Sequence, residues 1–175
     1  MTPAGAAVAL CFLLRDPPAG QDRPGGTEVL LGLKRTGFGT GKIVGVGGHV
    51  EPGESDAEAA VREVLEEIGV VVCQEDLTDA GMIRFVFPAR PEWNMDTRLY
   101  TVRTWQGEPA ESEEILPAWF RADTLPLERM WQDADHWLPL VLEGRTVNIV
   151  VTMNPDNETV ASSHSILPGN SAYGT

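Results

Sequence analysis

Between Gly48 and Val70 the chain carries seven Asp and Glu side chains in 23 residues, GHVEPGESDAEAAVREVLEEIGV. No other stretch limits the fold as strongly. Pro52-Gly53 makes a turn, and Ser55 or Asp56 can cap a helix that follows. Gly69 can end it in the left-handed conformation that glycine tolerates best. The helix between them runs for about three turns. Glu63, Glu66 and Glu67 are related by i+3 and i+4 and share one face, while Ala60, Val64 and Ile68 recur every four residues on the opposite, buried face. Arg62 lies between the two faces, within reach of Glu54 in the preceding turn. Like charges at these spacings repel. Either the acidic face is only solvated, or a cation holds the carboxylates together. Oxygen ligands of this kind suit a hard divalent ion.

The 175 residues suit one domain with a sizeable core, taken here as residues 1–166 with a flexible tail at 167–175. An apolar fraction of 42% and five Trp fit a globular chain. A net charge of −13 argues against binding long nucleic acid through a general basic surface. A triphosphate can still bind where metal ions and a few Lys or Arg reverse the sign locally. Cys11 and Cys73 make no disulfide framework and are expected to be reduced and buried. The apolar run 4–14 has no basic residues ahead of it and reads as a strand, not a signal peptide. No stretch reaches the roughly 18 apolar residues of a membrane span. The expectation is therefore a cytoplasmic protein, a monomer or homodimer, with no membrane partner. Asn157-Glu158-Thr159 is expected to be a turn rather than a glycosylation site.

Strands are expected at residues 7–15, 28–34, 82–87, 98–105 and 117–120, with a final hairpin of 147–152 and 159–165 across Asn154-Pro155-Asp156-Asn157. Residues 133–142 carry Trp137, Leu140 and Val141 at helical spacing, with Gly144 as a stop. Residues 16–26 and 36–48 read as loops, the second holding six glycines. The order of strands, helix, strands, helix and strands predicts an α/β sandwich of mixed sheet and helices. The glycine loop is neither a Walker nor a Rossmann element, because Gly41-Lys42 lacks the P-loop spacing and no GxGxxG lies in it. It either bends the backbone sharply or turns carbonyls near Gly48 toward a metal.

Gly48, Glu54, Arg62-Glu63-Val64, Glu66-Glu67 and Gly69-Val70 together resemble the Nudix box at every fixed position. The resemblance implies an α/β/α sandwich and hydrolysis of a nucleoside diphosphate linked to another moiety, with Mg²⁺ or Mn²⁺. Glu63, Glu66, Glu67 and the Gly48 carbonyl would then hold the metal, Glu66 or Glu114 would serve the water, and Glu54, Arg62 and Gly69 would be structural. Outside the box, residues 8–165 are similar to the oxidised purine nucleoside triphosphatase branch. The carrying segments are Leu31-Gly32-Leu33-Lys34-Arg35, 37–42, the acidic run 108–114, Trp119-Phe120, and Met130-Trp131 with Asp133, Trp137 and Pro139.

By that likeness Glu114 adds a metal ligand, Lys34 meets phosphate or the pocket edge, and Asp133 bonds the base edge. Phe38, Phe85, Phe87, Met95 and Trp131 wall a purine, Trp131 stacking on it. Read as plain residues, Phe85 and Phe87 are equally core, Asp133 equally a helix N-cap and Lys34 a solvated strand end. The chain departs from the branch twice, with Val44 where the branch has Asn and Ala134 where it has a second Asp. Both positions read the base, so the departures bear on which nucleotide is used and not on which bond is cleaved.

Overall fold

The computed structural model describes residues 5–17 and 26–166. The expected tail and most of the loop at 16–26 lie outside the described residues. Two strands, β1 (Ala6–Arg15) and β2 (Glu28–Lys34), come first. They are followed by two short ones, β3 (Ile43–Val44) and β4 (Val46–His49), and then by α1 (Asp56–Ile68). Next are β5 (Thr78–Val86), β6 (Met95–Val102) and β7 (Ile115–Arg121). The chain closes with α2 (Leu138–Leu142) and the pair β8 (Val147–Met153) and β9 (Val160–Ser165). Among the described residues no helix is long and apolar enough to cross a membrane.

Strand β1 organises the mixed sheet. It runs parallel to β6 along one side, and on the other it pairs antiparallel with β4 near its start and with β2 at its end. β5 joins β6 antiparallel and β8 parallel, β9 closes one edge, and β7 pairs with the whole of β2. Side chains alternate across β1. Phe12 and Leu14 enter one core with Trp137, Leu138 and Val141, while Ala9, Cys11 and Leu13 enter the other with Ala60, Val64 and Ile68 of α1. Two cores on opposite faces of one sheet make this an α/β fold covered on both sides, as the element order predicts.

Helix α1 starts and stops where its sequence dictates. The Ser55 hydroxyl accepts from Glu58 N at 3.1 Å and the Glu58 carboxylate accepts from Ser55 N at 2.8 Å, a reciprocal capping box. Gly69, at φ 71°, closes the last turn by donating to the Leu65 carbonyl. Ser55→Ala removes one of the two box bonds and is expected to cost about 1 kcal/mol. Urea unfolding measures it, and an unchanged midpoint would show that Glu58 alone holds the helix start.

Four expectations need correction, the first being the strand expected at 98–105, which runs instead over Met95–Val102. The glycine-rich segment 36–48 is not all loop, because β3 and β4 form in it by pairing with β2 and β1. The helix expected at 133–142 is broken into a 3₁₀ segment, Gln132–His136, and the short α2. Pro139 has no N–H to continue the first piece and instead starts a new helix from its first turn. Cys73 is exposed, beside the 3₁₀ turn Gln74–Asp76, whereas Cys11 is buried and its thiol is pushed up to about 12 by burial.

Candidate active site

α1 lays one end of its acidic face against β4. A Cβ built on Gly48 would lie 2.5 Å from Glu63 Oε1, so only glycine lets that carboxylate approach the strand so closely. Glu67 turns beneath the strand, is 7% exposed, and its Oε2 accepts from Gly47 N at 3.2 Å. Glu66 points outward, its side chain 58% exposed.

Arg62 joins this cluster to the turn before the helix. Its Nε donates to Glu54 Oε2 at 2.8 Å, and Nη2 donates to Glu54 Oε1 at 2.9 Å and to the His49 carbonyl at 3.0 Å. Its Nη1 donates to Glu63 Oε1 at 2.9 Å and Glu66 Oε2 at 3.1 Å. All five guanidinium N–H groups are thereby used. The arginine beside it holds the Glu54 carboxyl down to about 2.

The other carboxylates shift the opposite way. Burial pushes Glu67 up to about 7, against the Gly47 N–H and Lys34, with Glu63 and Glu114 adding repulsion. Burial also raises Glu63, Arg62 opposes that rise, and Glu66 and Glu114 reinforce it. Glu63 thus lies in the fields of Glu66 and Glu114, and Glu67 in those of Glu63, Glu114 and Lys34. Among the described residues no three acidic, His or Cys side chains close into a finished metal cage. The donor set nevertheless fits a divalent cation. It is all oxygen, and its buried members are held toward the neutral form by desolvation and mutual repulsion, both of which an added cation offsets.

Beside the carboxylates opens a cavity of about 260 Å³. Lys34, Phe38, Val44, Gly48, Phe85, Phe87, Met95, Trp131, Asp133 and Ala134 all line it. Asp133 is buried, and its Oδ2 accepts from Trp137 Nε1 at 2.8 Å. It is not a helix N-cap, because it sits inside the 3₁₀ segment. Burial raises its carboxyl above the usual range. Phe87 is both core and cavity wall. At the mouth, Phe38 is 49% exposed and stacks on Trp131 at 5.1 Å and 17°. Lys42 Nζ lies 4.6 Å from the centre of the same indole.

Sequence reasoning missed Trp93, Thr97 and Asn157 as contributors. Trp93 meets Phe38 edge-on at 5.2 Å. Thr97 and Asn157 line the cavity, as does Trp137 of the expected base-pocket segment. Thr97 was findable, since it follows Met95 by two residues on the same strand face.

The comparisons agree with this architecture. A NUDIX domain model matches residues 8–141. The chain is 45% identical over 118 residues to the oxidized purine nucleoside triphosphate hydrolase of Danio rerio, across 67% of this chain and 74% of that protein. It is 43% identical over 118 residues to the Mus musculus protein of the same name, with the same coverage. Among solved structures, the mMutator MutT protein of Bacillus halodurans superposes with a TM-score of 0.71 at 25% identity, covering 91% of this chain and 96% of that one. With the box, the carboxylate helix and the mixed sheet in place, the chain belongs to the NUDIX family of hydrolases.

Proposed function

We propose that this enzyme hydrolyses nucleoside triphosphates carrying an oxidised purine, such as 8-oxo-dGTP, to the monophosphate and pyrophosphate. The observation that carries the reading is the shared border of the two halves. An aromatic cavity of purine size and a cluster of carboxylates meet at Gly48 and Lys34. The relatives named as oxidized purine nucleoside triphosphate hydrolases support the substrate class.

Glu63, Glu66 and Glu67, with the Gly48 carbonyl and Glu114, would hold Mg²⁺, with Mn²⁺ as a substitute. When bound, such ions neutralise phosphate charge and lower the pKa of a coordinated water. The protein's own groups do the positioning. Arg62 fixes Glu66 by its Oε2, and Glu66 or Glu114 orients the attacking water and takes its proton. Lys34 draws the phosphates toward the cleft. Trp131 offers a stacking face at the cavity, and Phe38, which now covers one face of that indole, shares the ring contact with the base. Asp133 presents its carboxyl to the base edge.

A nucleotide panel with pyrophosphate detection tests the reading. Mg²⁺-dependent release of pyrophosphate from 8-oxo-dGTP, faster than from ADP-ribose or dinucleoside polyphosphates, is the expected outcome. A preference for ADP-ribose would overturn it. Metal binding to the folded state should also raise the melting temperature, since a ligand at 100 times its Kd adds about 2.7 kcal/mol. No shift in millimolar Mg²⁺, with or without nucleotide, would argue for a non-enzyme reading.

A further inference from the structure

Two buried side-chain oxygens have no hydrogen-bond partner among the described residues, Thr97 Oγ1 and Asn157 Oδ1, and both residues line the cavity beside the carboxylates. Leaving one polar atom buried and unpaired is costly and uncommon. Two of them on the wall of one cavity point to a ligand with polar edges.

Neither residue is placed by accident of a flexible surface. Thr97 is 1% exposed, in the middle of β6 between Val8 of β1 and Ile83 of β5. Asn157 is held at φ 59°, a left-handed conformation that asparagine tolerates better than most side chains. Its loop is pinned internally. The Asp156 carboxylate accepts from Glu158 N, Thr159 N and Thr159 Oγ1, and Asn154 Nδ2 donates to Thr159 Oγ1. The loop is also tied to the far wall, because Val160 N donates to the side chain of Gln132, next to Asp133.

Val44 and Ala134 in the same cavity wall are apolar and offer a base edge no hydrogen bond from their side chains. We propose that Thr97 and Asn157 read the edge of the purine in this chain, making them its specificity-determining residues. The inference rests on the purine reading above.

The chemistry favours an oxidised purine. On its N7 side an 8-oxopurine presents a donor at N7–H beside an acceptor at O8, whereas guanine presents on that side two acceptors, N7 and O6. A carboxamide carries an acceptor and a donor side by side, so it meets an adjacent donor–acceptor pair with two bonds. Set against unmodified guanine, the amide oxygen would face a lone pair. The Thr97 hydroxyl can donate to O8, an oxygen that unmodified guanine lacks, and so supplies one further discriminating contact from the sheet floor.

The test uses the full chain and two variants chosen to spare the backbone. Thr97→Val keeps the shape and removes the hydroxyl, and Asn157→Gly keeps the left-handed conformation and removes the amide. The readout is the ratio of kcat/KM for 8-oxo-dGTP to that for dGTP. A second readout is the affinity of 8-oxo-dGMP against dGMP without metal, which needs no catalysis. Each variant is expected to lower both ratios by about tenfold or more. Thr97→Val should melt no lower than the parent, because it removes an unpaired buried hydroxyl. Unchanged ratios in both variants would overturn the proposal, as would a parent that binds neither monophosphate. A parent that cleaves no triphosphate, yet prefers 8-oxo-dGMP and loses that preference in the variants, would sink the proposed reaction and leave the proposed readers standing.

Discussion

Glu66→Gln is expected to lower turnover by at least about a thousandfold, the loss that follows when a water-serving carboxylate that also binds metal is neutralised. The fold should not notice the change. The Glu66 side chain is 58% exposed and its partner Arg62 keeps four other hydrogen bonds. Surface changes of this kind stay within about 0.5 kcal/mol. Circular dichroism and the melting temperature without metal check the fold, and pyrophosphate release checks the rate. Turnover within tenfold of the parent would remove Glu66 from the chemistry and leave Glu114 as the base.

Glu67→Gln makes the informative contrast. Its carboxyl is buried, and its folded pKa is raised from 4.5 to about 7, so the folded state binds the proton more tightly than the unfolded one. The favourable contribution is therefore full below pH 4.5 and is lost as pH rises toward 7. Gln carries no such charge. The metal-free variant should match or exceed the parent in stability at neutral pH and show a flatter pH profile across that window, while losing activity. A variant less stable than the parent at pH 7 would mean that the Gly47 contact outweighs the desolvation.

The contrast between these neighbours also shows what a sequence can carry. The box was legible because each element of it is a local rule. Ser55 with Glu58 caps, Gly69 stops, and spacing by three and four assigns the faces. Strand β2 was legible to the residue because Val29, Leu30, Leu31 and Leu33 stand between glycine- and charge-rich flanks. What failed depends on partners far along the chain. β4 holds two glycines with no strand preference of their own and β3 is only the pair Ile43–Val44, and both extend because β1 and β2 supply the ladder. Asn157 belongs to a turn in the sequence, and only the parallel pairing of β8 with β5 carries that turn to the cavity. Thr97 lies just before the strand expected at 98–105, between Asp96 and Arg98, and only the register sets it between Val8 and Ile83. Trp93 and Phe38 lie 55 residues apart, and their contact follows from where two loops end.

Arg62→Ala should be the most damaging single change in the box that leaves its carboxylates intact. It removes at once the bidentate hold on Glu54, the anchor on the His49 carbonyl and the bonds to Glu63 and Glu66. Four acidic side chains, with Glu51 at 3.9 Å, then face one another around a lost cation. Two effects separate. Loss of the tie between the turn and the helix lowers the melting temperature, though partial exposure and solvent screening keep that loss moderate. Loss of the fixed carboxylate positions lowers kcat, and a displacement of about 1 Å is enough for roughly a hundredfold. Arg62→Lys divides the two. An ammonium restores charge but not the planar fork, so it should recover part of the stability and little of the rate. Both variants are to be assayed well below their melting points. Activity in Arg62→Lys equal to the parent would show that charge alone organises the cluster, and the geometry of the five-bond network would then carry no catalytic weight.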